Sequence, residues 1–180
     1  LSFGIAISLL LSIRTVIRNA DWHDELSLWT SAVRSQPQNP KIHAALASAY
    51  ADRGETESAF QAWNRSLELD PNQPRVWVNR GNEEKRRGNA KEAEDCYRNA
   101  LELFPSYGAA HFNLALLLEQ QNRLDEALRH FQLAAEHLYH RVNTEHRQGL
   151  AHYHIARLFF VRKELQTAAF HLSRAEKLAP

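Results

Sequence analysis

The chain has 180 residues, of which 44% are hydrophobic and 24% charged, with six glycines and six prolines; this excludes collagen, low-complexity disorder and a disulfide scaffold. Twenty-two Lys and Arg against twenty-one Asp and Glu leave a formal charge of +1, so no global field draws in nucleic acid, and an electrostatic partner has to be read by a local patch. Cys96 is the only cysteine, and a chain that opens at Leu1 without any methionine reads most simply as a segment of a longer protein.

The first element is an uncharged run from Leu1 to Ile13, closed by Arg14 and Arg18. A helix rises about 1.5 Å per residue, so thirteen residues do not cross a hydrocarbon core of about 30 Å. A secretory signal would carry its cations before the apolar run, and here they follow it. Two readings fit: the C-terminal part of a transmembrane helix, residues 1–18, or an apolar helix packed on the rest of the domain. The two arginines alone would place that end in the cytoplasm.

Beyond the run a period appears. Ala59, Ala93 and Ala127 lie 34 apart, as do Gly54, Gly88 and Asn122, and Pro71 and Pro105. Further rungs are Ala47, Gly81 and Ala115; Ser66, Ala100 and Ala134; and Trp63, Tyr97 and Phe131. Small residues recur where helices approach closely, and aromatics recur where the gaps need filling. Each unit reads as two helices. Ile42, Leu46, Ala49 and Tyr50 form one apolar stripe, Gly54 breaks it, and Ala59, Ala62, Trp63 and Leu67 form the next. Asp70-Pro71-Asn72-Gln73-Pro74 then stops the helix. Such a hairpin cannot bury its own apolar face, so the units must stack.

The period and the small, aromatic and proline order resemble the tetratricopeptide repeat. That resemblance implies an all-α, right-handed solenoid. Its repeats span residues 40–73, 74–107 and 108–141, then 149–180 after an insertion at 142–148 that shifts the offset from 34 to 41. Residues 19–39 read as a partial repeat whose helix, Asp21 to Ser35, is capped by Asp21.

The stretch Arg14-Thr15-Val16-Ile17-Arg18-Asn19-Ala20-Asp21-Trp22, with Trp29 and Pro37 to His43 after it, resembles the junction where the membrane region of transmembrane and tetratricopeptide-repeat O-mannosyltransferases, and of related bacterial membrane glycosyltransferases, enters the repeats. The resemblance implies membrane attachment through the N-terminal helix, with the repeats extracytoplasmic in the periplasm or the endoplasmic reticulum lumen, against the arginine hint.

No phosphate loop, His-Glu-x2-His, Cys-x2-Cys or Gly-x-Ser-x-Gly elbow occurs, and no catalytic residue, cofactor or metal is assigned. His137 and His140, three apart, could share a metal; His152 and His154, two apart, could not. Cys96 reads as a small, partly buried filler. Arg80 and Glu84, where the repeat usually carries apolar residues, lie four apart and could pair.

In tetratricopeptide arrays the first helix of each repeat lines a groove. Mapped onto this chain, that surface receives Arg75, Val78, Asn79, Asn82, Lys85 and Arg86 from the second repeat, and Phe112, Asn113, Leu116, Glu119 and Gln120 from the third. A side-chain amide carries donor and acceptor together, so Asn79 and Asn113 suit an extended peptide backbone. Arg75, Lys85 and Arg86 suit an acidic ligand or a terminal carboxylate. Ala44 and Ser48 stand where a chaperone-tail clamp would need Lys and Asn. The expected activity is protein or peptide binding by a membrane-attached module. The alternatives are the C-terminal domain of a membrane glycosyltransferase and a soluble assembly scaffold.

Overall fold

The computed structural model describes residues 24–137 and 145–178, and every regular element among them is an α-helix. They fall in two compact units, one ending at Pro71 and one beginning at Asn72. The first holds α1 (Glu25–Ser35), α2 (Pro40–Asp52) and α3 (Thr56–Leu69). The second holds α4 (Pro74–Arg86), α5 (Ala90–Leu103), α6 (Gly108–Gln120), α7 (Leu124–His137), α8 (Glu145–Val161) and α9 (Leu165–Leu178).

The hairpin turns show why the sequence repeats. Gly54, Gly88, Asn122 and Lys163 follow the ends of α2, α4, α6 and α8 with φ of 75°, 86°, 61° and 62°. In each turn the next amide reaches back five residues, from Glu55 to Tyr50, Asn89 to Glu84, Arg123 to Leu118 and Glu164 to Phe159. These bonds satisfy carbonyls that the helix end would leave open. The rungs lie 34, 34 and 41 residues apart. Part of the added length is helical: α8 starts at Glu145, and the buried Gln148 donates from Nε2 to the Ala135 carbonyl at 2.9 Å.

In the first unit, Pro40 opens α2 after the Asn39 cap, whose side chain accepts from the Lys41 amide at 3.1 Å. Ile42, Leu46, Ala47 and Ala49 of α2 are buried with Ala59, Phe60, Ala62 and Trp63 of α3, and Phe60 meets Trp63 edge to face. Ser66 stands on a rung of alanines because its hydroxyl donates to the Pro40 carbonyl at 2.7 Å. The cap of α1 is Asp24, whose carboxylate accepts from the Ser27 amide at 2.8 Å and pairs with Arg53 at 2.8 Å. The described helix is thus capped by Asp24, which lies within reach of both Ser27 and Arg53. Asp21 and the apolar run Leu1 to Ile13 lie outside the described residues. Among the described residues no helix is long and apolar enough to cross a membrane.

The second unit is built around Tyr97, Leu114, Leu118, Phe131 and Ile155, all fully buried, with the small residues Ala93, Ala100, Ala115, Ala127, Ala134 and Ala151 between them. Gly81 is a close-approach position. A β-carbon there would stand 2.8 Å from Tyr97 Cε1 and 3.0 Å from Cys96 Cβ. Burial pushes the Cys96 thiol up to about 11, which keeps it protonated and unreactive at neutral pH.

Candidate peptide-binding groove

The candidate groove residues come from α4 and α6, first helices of consecutive hairpins in the second unit. Proline at the start of α4 and the φ-positive Gly88 at its end fix the span of that helix. Spacing of three and four then puts Arg75, Asn79, Asn82, Lys85 and Arg86 along one side.

Asn82 joins the two helices. Its Oδ1 accepts from the Tyr97 hydroxyl at 2.9 Å and from Asn113 Nδ2 at 2.9 Å. One amide oxygen therefore closes a chain of three side chains from α4, α5 and α6. Asn82 itself is exposed and Asn113 half-buried, and each side-chain amide carries a donor and an acceptor. Asn79 lies one turn nearer the start of α4 and is half-buried. Arg75 is exposed, and Lys85 is half-buried enough that desolvation lowers its ammonium. A partly desolvated cation gains more from an anionic ligand than a fully hydrated one.

Two expected positions behave differently. Arg86 donates from Nε at 2.9 Å and from a terminal nitrogen to the buried Glu83 of its own helix, which raises its pKa and neutralises its charge. Val78 is buried in the core. Arg86 is thus a clip along α4, held by a Glu83 that is itself shielded from water. Phe112 is also mostly covered, edge-on to Phe131 at 5.8 Å.

The surface continues from α6 onto α8. His154 lies flat on Phe131 at 4.7 Å, and Glu119 of α6 takes His154 Nδ1 at 3.1 Å and an ion pair from Arg157. Burial lowers the His154 pKa against the opposing pull of Glu119. The signal was available: an offset of 41 carries Phe112, Asn113 and Leu116 onto Tyr153, His154 and Arg157.

The departures in α4 also find partners. Glu84 is buried and accepts from Asn89 Nδ2 at 2.8 Å, while the Arg80 guanidinium lies over the Trp77 ring at 5.7 Å. The histidines of the last two hairpins form pairs. His111 meets His130 and His152 meets His171, each through Nδ1 atoms at 2.9 and 3.0 Å. His140 lies outside the described residues, and among those described no three His, Cys, Asp or Glu side chains gather to hold a metal.

Two family models match, one described as tetratricopeptide repeat over residues 78–139 and one as TPR repeat over residues 47–83. The chain therefore carries tetratricopeptide repeats. No curated protein matches it in sequence. Among solved structures, it is similar to PilF of Pseudomonas aeruginosa, with 20% identity, TM-score 0.75, and coverage of 95% of this chain and 74% of that one. A crystal structure of MamA matches with 16% identity, TM-score 0.71, and coverage of 89% and 90%. MamA from Desulfovibrio magneticus RS-1 matches with 18% identity, TM-score 0.68, and coverage of 96% and 93%. At these identities the likeness is one of fold, the all-helical tetratricopeptide solenoid.

Proposed function

We propose that the chain is a non-catalytic protein-binding module that holds an extended peptide across α4 and α6. The observation that carries this is the Asn82 link. It fixes two amide side chains of consecutive first helices in register, on a surface that also carries the cations Arg75 and Lys85 of α4. Amides at fixed spacing match a peptide backbone whatever its side chains, and the cations select acidic residues or a free carboxylate. The test uses a library of random twelve-residue peptides selected on the full chain. Acidic or carboxylate-terminated sequences should be enriched, and Asn79→Ala with Asn113→Ala should weaken them at least tenfold at an unchanged melting temperature. Undiminished binding by that variant would sink the reading, as would a loss of binding matched by a fall in melting temperature, since Asn113 also bonds Asn82.

The uncharged run Leu1 to Ile13 and the junction after it favour a second reading of where the module works. In it the module hangs from a membrane helix on the extracytoplasmic side, as the C-terminal domain of a membrane glycosyltransferase. Carbonate extraction of the native protein tests this, with a compartment-specific reporter fused after Pro180. Release of the protein by carbonate, or reporter activity confined to the cytoplasm, would exclude it.

A further inference from the structure

Asn79, Asn113 and His154 stand at one position of three consecutive first helices, 34 and then 41 residues apart. The first two are amides, which both donate and accept; the third is a histidine, and its surroundings decide which of the two it does. Its ring packs against three others. It lies flat on Phe131 of α7, with ring centres 4.7 Å apart and planes at 11°, and it meets Phe112 of α6 and Tyr153 of its own helix edge-on. Its Nδ1 lies 3.1 Å from a carboxylate oxygen of Glu119 on α6, and Arg157, three residues further along α8, pairs with the same carboxylate and holds it in place. A carboxylate only accepts, so Nδ1 carries the proton. Burial works against a second proton on the ring and outweighs the pull of Glu119, so at neutral pH the side chain is the neutral Nδ1–H form. Its Nε2 is then a bare lone pair. Among the described residues no donor reaches that atom, and it is not sealed from solvent.

Taking the α4–α6 groove as the peptide site, we propose that His154 extends it onto α8 as a third rung, where Nε2 accepts a main-chain N–H of the bound peptide. An amide can turn and offer either sense, as Asn79 and Asn113 do. His154 cannot, because Glu119 holds its donor side. The rung therefore selects on the peptide backbone and rejects proline, which has no N–H to give. Spacing gives the register: packed helices stand about 8–10 Å apart and an extended chain advances about 3.3 Å per residue, so one rung falls at about every third residue of the ligand. The contact owes nothing to Arg157 as a cation, since its charge is already paired with Glu119.

The probe is the tightest twelve-residue peptide selected on the full chain, resynthesised with each main-chain nitrogen methylated in turn and titrated by fluorescence anisotropy. One methylation should weaken binding to the parent chain about tenfold, the worth of one hydrogen bond. With His154→Phe, which keeps an aromatic ring on Phe131 but has no ring nitrogen, the same methylation should make no difference. The methylation that couples to Asn113→Ala in the same way should lie about three residues away. Nitrogen-15 spectra of the histidine-labelled full chain add a readout that survives a poorly folded variant: His154 Nε2 should resonate as an unprotonated nitrogen at neutral pH and move as the peptide saturates. A scan in which no methylation couples to His154, a proton on Nε2 in the free chain, or an Nε2 signal that saturating peptide leaves in place would each overturn the third rung, while the α4–α6 groove would stand or fall by its own asparagine variant. Undiminished binding by Asn79→Ala with Asn113→Ala would remove the groove, and the rung with it.

Discussion

Asn82 and Gly81, neighbours on α4, set the tolerance of the second unit to change. Tyr97 is fully buried, and its hydroxyl donates to Asn82 Oδ1. Removing the acceptor leaves a buried donor unsatisfied, which costs about 1–3 kcal/mol, whereas removing both partners is closer to neutral. Asn82→Ala should therefore destabilise the chain more than Tyr97→Phe does. In the double variant the loss should be smaller than the sum, as measured by denaturant unfolding. At Gly81 the argument is steric. The rung holds alanine in the neighbouring repeats, yet here a methyl group would press on the Tyr97 ring at 2.8 Å, so Gly81→Ala should cost about 1–3 kcal/mol. A melting temperature equal to that of the parent would show that the ring has room to move. The small-residue rung was legible in the sequence, since Ala47, Gly81 and Ala115 share it. The reason for glycine was not, because the larger neighbour Tyr97 lies on another helix. Asn82 was legible as a groove residue, but its bond to Tyr97 was not. A contact between side chains fifteen residues apart depends on how α4 packs on α5.

At the scale of helices, the second unit joins its hairpins with charge on one side and histidine within. Glu94 of α5 accepts from Arg123 at 2.7 Å and pairs with Arg98, and Arg123 in turn holds Glu126 of α7. Burial opposes ionisation of Glu94, but the two guanidinium groups outweigh it, so its pKa lies below the ordinary value. The histidine pairs make a sharper prediction. Burial, together with the neighbouring His111, Arg98 and Arg129, outweighs Glu126 and pushes His130 down to about 4. Burial, His171 and Arg174 do the same to His152. His111 and His171 are lowered too, chiefly by burial. Free histidine titrates near pH ~6.5. Between that value and about 4 the unfolded chain binds protons that the folded chain refuses, so stability is full above the upper limit and falls with pH through the window. The melting temperature should drop steeply over that range. His130→Gln with His171→Gln keeps a hydrogen-bonding side chain in each pair and should flatten the slope by about half. The lowered carboxylates of Asp24, Glu94 and Glu126 lose their contribution only at lower pH, below their unfolded value. A slope indifferent to the histidine changes would assign the loss to carboxylates instead. The sequence showed ten histidines and a question of metal. It did not show the pairs, because each joins residues nineteen apart across a hairpin.

For the molecule as a whole, the consequence of repetition is that stability depends on neighbours. In a stacked array each hairpin contacts only the ones beside it, so a helix with few buried residues is held by few of those contacts. The period, the turns and the helical hairpins could be read from sequence because they repeat; how deeply each helix is buried could not, because burial depends on what packs against it. In the second unit the core residues Tyr97, Leu114, Leu118 and Phe131 lie in α5, α6 and α7, while α9 has only Ala168 and Ala175 fully covered. Local opening should therefore begin at α9. Amide hydrogen exchange of the full chain at neutral pH should show the slowest protons in α6 and α7 and progressively faster ones through α8 to α9. If α9 already exchanges as slowly as α7 in dilute protein, some other surface covers its exposed Leu165, Phe170 and Leu172. Repeating the measurement over a hundredfold dilution then separates a second copy, whose protection fades, from a contact within the chain, whose protection does not.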